Sequence, residues 1–240
     1  MLFRSTIIKE KQDNFCFYNL NGELSNYFAF VSNKDLVKKN KLIEGNQNVL
    51  KARFEDARFF IDEDLKVSLD QRIKKLSSII FYDNLGNLKD RAFRIVDLCE
   101  IISIKLNFKI NSFKSELIYS NFDLTTDIVK EYPTLQGLAG GFYSKIFKFN
   151  ESVSEAFSNQ YKSIFTEVNP LSIILSVAQK VDSIFGFFSS QKKISGSGDP
   201  FGIRRLVLSL IRLMIENDIN LDFFEILEQL QKIYQKQKLK

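Results

Sequence analysis

The sequence predicts an α+β protein, with a short β-rich piece at the amino terminus followed by a mostly α-helical domain. Two aromatic-rich runs, Asn14-Phe15-Cys16-Phe17-Tyr18 and Tyr27-Phe28-Ala29-Phe30-Val31, flank Asn21-Gly22. Asn-Gly is a strong hairpin turn signal because both residues tolerate positive φ. From about residue 43 the apolar residues recur at steps of three and four, the period of a helix with one buried face. Asn169-Pro170 and Asp199-Pro200 each set a capping side chain before a proline at a first helical position.

Taken in order, the first 40 residues read as strand and turn, with a hairpin over residues 15–32. A helix over 46–61 carries Val49, Leu50, Phe54, Ala57 and Phe60 among charged residues. A second is expected over 63–81, from Leu65, Leu69, Ile73, Leu76 and Ile80. The segment Asp83-Asn84-Leu85-Gly86-Asn87 is a turn, and a third helix follows over 89–106. Shorter helices are expected over 112–119, 124–132, 135–147, 151–160, 171–185, 200–217 and 222–235. Residues 189–198 (SSQKKISGSG) read as a loop. In the helix over 200–217, Arg205, Ser209, Arg212 and Glu216 share one face, while Leu206, Leu210, Leu213 and Met214 point inward.

A chain of 240 residues, 45% hydrophobic and 26% charged, is long enough to bury a real core. No window holds eighteen consecutive apolar residues, and the start has too short an apolar run for a secretory signal. Cys16 and Cys99 lie far apart without metal-ligand spacing and read as reduced residues of a cytoplasmic protein. The formal net charge of +5 has two readings. It fits an anionic partner such as nucleic acid. It also fits the coding bias of an adenine- and thymine-rich genome, since lysine outnumbers arginine 25 to 9. The absence of histidine excludes a Ser-His-Asp triad, a Cys-His dyad and any histidine-bearing metal site.

Five phrases carry a resemblance. They are Gly45-Asn46 with Val49, Arg53, Asp56-Ala57 and Phe59-Phe60; Leu85-Gly86 with Asp90-Arg91; Asp123-Leu124-Thr125-Thr126 with Glu131-Tyr132-Pro133 and Leu135-Gln136-Gly137; Ala178-Gln179-Lys180-Val181-Asp182 with Gly186; and Asp199-Pro200-Phe201 with Arg204-Arg205. In order and spacing they resemble the beta subunit of bacterial glycyl-tRNA synthetase, the type with separate alpha and beta chains. The sequence departs from that pattern at Gly198, where the family usually has lysine, and at Gly202, where it usually has alanine. The family's beta chain is also much longer.

The resemblance implies that residues 1–62 are the hairpin-and-helix end of a larger body domain. It implies that 63–240 form a helical domain related to the HD phosphohydrolase fold, with the start of a following linker helix. In that fold histidines and aspartates hold metal. Here Phe122-Asp123 stands where a His-Asp pair would, and Asp182 is the late aspartate. An aspartate pair without histidine is a poor site of that type, so no metal is assigned. Asp123 reads more simply as the cap of the helix over 124–132. Asp199, Pro200 and Phe201 read as structural: cap, helix start and core anchor. Gly45, Gly86 and Gly137 suit turns or close backbone approach.

No residue receives a catalytic role. Lys192, Lys193, Arg204, Arg205 and Arg212 are the candidates for contacting tRNA phosphates, against the plainer reading of a solvated face. The resemblance implies an alpha-subunit partner in a hetero-tetramer of two alpha and two beta chains, tRNA(Gly) as substrate, no membrane, and no cofactor in this chain. The whole synthetase would use ATP with magnesium. The alternative is a stand-alone helical interaction module, or a non-functional remnant of that subunit. A metal-dependent phosphohydrolase is disfavoured for want of an imidazole.

Overall fold

The computed structural model describes residues 3–10, 14–33, 39–82, 84–164, 169–190, 199 and 202–237. The chain divides into two compact units, Met1–Ser68 with Thr126–Gln136, and Leu69–Thr125 with Gly137–Lys240.

The first unit opens on helix α1 (Arg4–Glu10), where the sequence predicts strand and turn. Phe3, Ile7 and Ile8 are buried, and the step of four from Phe3 to Ile7 places those two on one helical face. Strands β1 (Phe15–Tyr18) and β2 (Leu24–Ala29) form the expected antiparallel hairpin, in the register Phe15 to Ala29 and Cys16 to Phe28. Its turn is closed by Asn19, whose side-chain oxygen accepts from the Asn21 and Glu23 amides at 3.1 and 2.8 Å. Gly22 takes φ +76°.

Helix α2 (Lys39–Leu65) is longer than its apolar pattern suggests. Gly45 lies inside it with open space where a Cβ would sit, not at a turn. At the far end of α2, the buried Asp64 carboxylate accepts from the Asp127 and Ile128 amides at 2.8 and 3.1 Å. Those amides open helix α6 (Asp127–Glu131), and a carboxylate satisfies the orphan donors of a helix start. A short 3-10 turn follows at Pro133–Leu135.

Among the described residues, the regular elements of the second unit are helical apart from an isolated bridge between Ile80 and Asn87. Its helices are α3 (Leu69–Leu76), α4 (Leu88–Lys105), α5 (Lys114–Leu117), α7 (Leu138–Ile146), α8 (Glu151–Asn159), α9 (Pro170–Ser189), α10 (Ile203–Glu216) and α11 (Phe223–Lys236). The single helix expected over 63–81 is two, α2 ending at Leu65 and α3 starting at Leu69. Tight backbone bonds from Lys66 to Glu63 and from Val67 to Asp64 turn the chain between them. The single helix expected over 124–132 is a 3-10 turn, Phe122–Thr125, followed by α6.

Helix α9 is the axis of this unit and packs against α4, α8 and α10. Fourteen of its 20 residues are buried. Its length and composition would suit a membrane span, and burial among neighbouring helices accounts for that apolar character equally well. Asn169 caps it and Pro170 opens it, as the sequence predicts. Helix α4 begins on a capping box. Asn87 accepts from the Lys89 and Asp90 amides, and Asp90 accepts in return from the Asn87 amide at 3.0 Å.

Candidate functional site

Three places in the second unit gather polar chemistry. The first is the joint of α4, α9 and α11. One face of α4 presents Arg91 and Arg94, a step of three apart. Both are buried, and both meet Asp182 of α9, which has no exposed surface. Arg91 Nε donates to one Asp182 oxygen at 2.9 Å, and Arg94 Nε donates to the other at 3.1 Å. The Tyr234 hydroxyl of α11 donates to Asp182 at 2.9 Å. Arg91 also reaches the Gln179 carbonyl and the Ser183 hydroxyl, at 3.2 and 2.7 Å. Arg94 donates to Gln237 at 2.9 Å.

Aromatic rings cover the cations. Arg91 lies 4.5 Å from the Phe81 ring centre and Arg94 lies 4.3 Å from that of Tyr234. Burial, with the Asp182 charge beside it, pushes the Tyr234 phenol far above its ordinary range. Asp182, which the resemblance aligns with a metal-holding aspartate, is thus neutralised by two guanidinium groups. A divalent cation at this carboxylate would face two fixed positive charges at contact range. Among the described residues, no three His, Cys, Asp or Glu side chains come together as a metal site.

The second place surrounds Asp123, also fully buried. Its carboxylate accepts the Gly137 amide at 2.6 Å. Asp123 therefore serves the start of α7, whereas the cap of α6 is Thr126, which accepts the Val129 amide at 3.3 Å. This corrects the expectation that Asp123 caps its own helix. The helix it serves starts 14 residues on, beyond α6 and a 3-10 turn, a separation that local spacing does not reveal. Burial pushes the Asp123 carboxyl up to about 6, and the amides of Gly137 and Gly140 hold it from rising further.

Gly137 sits at φ +83°, and a Cβ there would lie 2.9 Å from the Tyr161 ring. Close by in sequence, Gln160 donates to the Ser120 carbonyl at 2.8 Å, and Gln179 donates to Asn121 and Gln160 at 3.1 and 2.9 Å. The Lys180 ammonium is enclosed as well. It donates to the Lys162 carbonyl at 2.9 Å and to Ser176 at 2.5 Å, and burial pushes its pKa down to about 8. Each of these groups is enclosed and engaged with protein, with no surface to meet a substrate.

The third place is α10. Arg204, Arg205 and Arg212 are exposed along it, with Arg212 3.8 Å from Glu216. Leu210 and Leu213 face inward, as the periodicity predicts. Asp199 is a cap, but of a later start than expected: its oxygens accept the Ile203 and Arg204 amides at 2.7 and 2.9 Å. Gly202 is the N-cap at φ +66°, in the left-handed region that glycine favours. Lys192, Lys193, Pro200 and Phe201 lie outside the described residues.

Sequence reasoning misses Arg91, Arg94, Gln160 and Tyr234 as partners of these centres. Arg91 and Gln179 stand inside the signature phrases; Arg94 and Tyr234 carry no local motif. The phrases meet in space. Asp90-Arg91 and Gln179–Asp182–Gly186 form the first joint, where a Cβ at Gly186 would lie 2.8 Å from the Phe81 ring. Asp123 and Gly137 form the second.

The family model for the glycyl-tRNA synthetase beta subunit matches residues 4–240. The glycine–tRNA ligase beta subunit of Rickettsia prowazekii (strain Madrid E) is 36% identical over 228 residues, covering 92% of this chain and 33% of that protein. The beta subunit of Coxiella burnetii (strain Dugway 5J108-111) is 36% identical over 233 residues, covering 95% and 34%. The chain thus spans about a third of the length of these curated relatives. With the match running from residue 4 to residue 240 and the signature phrases meeting as buried joints, the chain belongs to the glycyl-tRNA synthetase beta subunit family.

Proposed function

We propose that this chain is the part of a glycine–tRNA ligase beta subunit that positions tRNA(Gly) and supports assembly with an alpha subunit, for ATP-dependent glycylation. In this reading residues 1–62 end a larger body domain, and residues 63–240 are an HD-like scaffold that no longer holds metal, with the start of a linker helix. The alpha subunit and ATP with magnesium belong to the whole synthetase, two alpha and two beta chains in the cytoplasm. Bond chemistry lies outside this chain. One contrast carries the reading: the groups capable of chemistry, Asp123, Asp182 and Lys180, are buried and engaged, while Arg204, Arg205 and Arg212 are exposed on one helix. Guanidinium groups suit phosphate, and phosphate contacts orient an RNA without reading its bases.

The test is co-purification with the alpha subunit of a bacterial relative, followed by tRNA(Gly) binding titrated across salt. A complex, with affinity falling steeply as salt rises, is expected. No complex and salt-insensitive binding would remove the reading. A second reading, a helical interaction module without RNA, draws on Leu208 and Ile215 of α10, which are 66% and 74% exposed beside the arginines. It predicts the complex without the RNA.

A further inference from the structure

Helix α10 carries its charges against its own dipole. Arg204 and Arg205 stand in its first turn, Glu216 closes its last, and Asp218 lies just beyond. The positive end of a helix disfavours cations and the negative end disfavours anions, so this order costs stability locally. It is also self-complementary. Turned end for end, the same helix offers acids where the first copy offers bases.

Between the charged ends runs an apolar line. Helix α10 packs on α9, with Leu210 and Leu213 buried. Leu208, Ile211 and Ile215, at steps of three and four, are 66%, 48% and 74% exposed on the outer face. Beside Ile211 and Ile215 the surface is hollowed into a groove of about 470 Å3, which Met214 and Ile219 also line. All of these residues lie within the continuous described stretch 202–237.

We propose that α10 pairs with α10 of a second copy of this chain, antiparallel about a twofold axis between Leu208 and Ile211. At that crossing Leu208 of each copy meets Ile211 of the other, and Ile215 meets the aliphatic stem of Arg204. Arg205 and Glu216 are 11 residues apart, close to three full turns, so they share one flank of α10. The twofold axis sets these flanks side by side and brings Arg205 level with Glu216 of the other copy to within about 3 Å of helix rise. The basic first turn of each copy also meets the negative end of the other helix. This occupant answers every part of the face. An anionic partner would meet Arg204 and Arg205 but oppose Glu216 and Asp218, and RNA phosphates would leave the apolar line in water. The inference does not rest on the function proposed above. The two share Arg205, so one α10 serves either the second copy or an RNA.

Three apolar side chains of about 100 Å2 each, with the arginine stems, give roughly 500 Å2 per copy. That is the low end for specific association, so a dissociation constant on the order of tens of micromolar is expected. At low micromolar concentration the chain is then a monomer.

The experiment is sedimentation equilibrium of the chain from about 1 to 500 μM. A monomer–dimer equilibrium that stops at the dimer is expected, since a twofold contact closes on itself. Leu208→Gln, at an exposed position, should weaken it about tenfold or more while circular dichroism stays unchanged. Arg205→Glu alone and Glu216→Arg alone should each weaken it about tenfold, because each sets like charges face to face twice. An equimolar mixture of those two variants should associate more tightly than either alone, because both contacts then join opposite charges. The proposal is overturned if the parent stays monomeric throughout, if association runs on beyond the dimer, if Leu208→Gln dimerises like the parent, or if the mixture associates no better than its components. No RNA or alpha subunit enters these measurements, so they hold or fail apart from the tRNA titration.

Discussion

Six arginines of the helical unit fall into two sets that use the same side chain in opposite ways. Arg72, Arg91 and Arg94 are buried, whereas Arg204, Arg205 and Arg212 are exposed on α10. Arg91 and Arg94 are held by a carboxylate, a hydroxyl and carbonyls, and are covered by aromatic rings. Arg72 donates to the carbonyl and the hydroxyl of Thr125 at 3.3 Å. A desolvated guanidinium is costly when a partner is lost, so each of these side chains holds together the elements it bonds. An exposed guanidinium has no such constraint, and its pairing with a nearby carboxylate is worth little. The buried arginines thus join elements of the scaffold, while the exposed ones lie where a partner could reach them.

The largest effect expected is at Asp182. Asp182→Ala leaves Arg91, Arg94 and the Tyr234 hydroxyl without their shared acceptor and should destabilise the unit by about 3–5 kcal/mol, read from urea unfolding. A loss below about 1 kcal/mol would mean that the joint is hydrated and does not lock α4, α9 and α11. Next is Gly137→Ala. Positive φ and the Tyr161 ring 2.9 Å from the new Cβ should together cost about 1–3 kcal/mol.

Asp123 gives a pH-dependent test. Its carboxyl is raised to about 6 from 3.8, so the folded state holds this proton more tightly than the unfolded chain. The stability it adds is fully present below about pH 4 and is lost as pH rises through about 6. The loss is on the order of 3 kcal/mol. Asp123→Asn keeps an acceptor for the Gly137 amide but does not titrate. The stability difference between variant and parent should therefore shift in the variant's favour as pH rises from 4 to 6. A difference that is flat with pH would place the charge in water.

The smallest expected effect is on α10. Arg205→Gln and Arg212→Gln should each change stability by less than about 0.5 kcal/mol.

The hairpin and most helices are legible in the sequence because their signals are local. Asn21-Gly22 marks the turn, Asn169-Pro170 opens α9, and the three-and-four spacing of α10 separates Leu210 and Leu213 from the arginines. Helix α1 is not legible, because seven residues give too few turns for a period to stand out. The break between α2 and α3 is hidden because apolar spacing runs through it, while the turn is fixed by backbone bonds and by Asp64 serving α6. The candidate site is legible in part. The phrases point to Asp123 and Asp182, but their partners lie 14 residues away for the first and 52, 88 and 91 for the second, and no local pattern encodes such pairings. Tyr234 in particular reads as one more apolar position of an amphipathic helix until its hydroxyl is seen against Asp182.

The division between buried and exposed arginines, and the role proposed for the exposed set, are tested most directly by one variant, Arg204→Gln with Arg205→Gln and Arg212→Gln. Its urea midpoint and its tRNA(Gly) affinity across salt are measured on the same preparation. The expected result is an unchanged midpoint, weaker binding, and a salt dependence shallower by about one for each phosphate no longer neutralised. A lowered midpoint with the parent's salt dependence would contradict it, because those arginines would then be holding the fold and not an RNA.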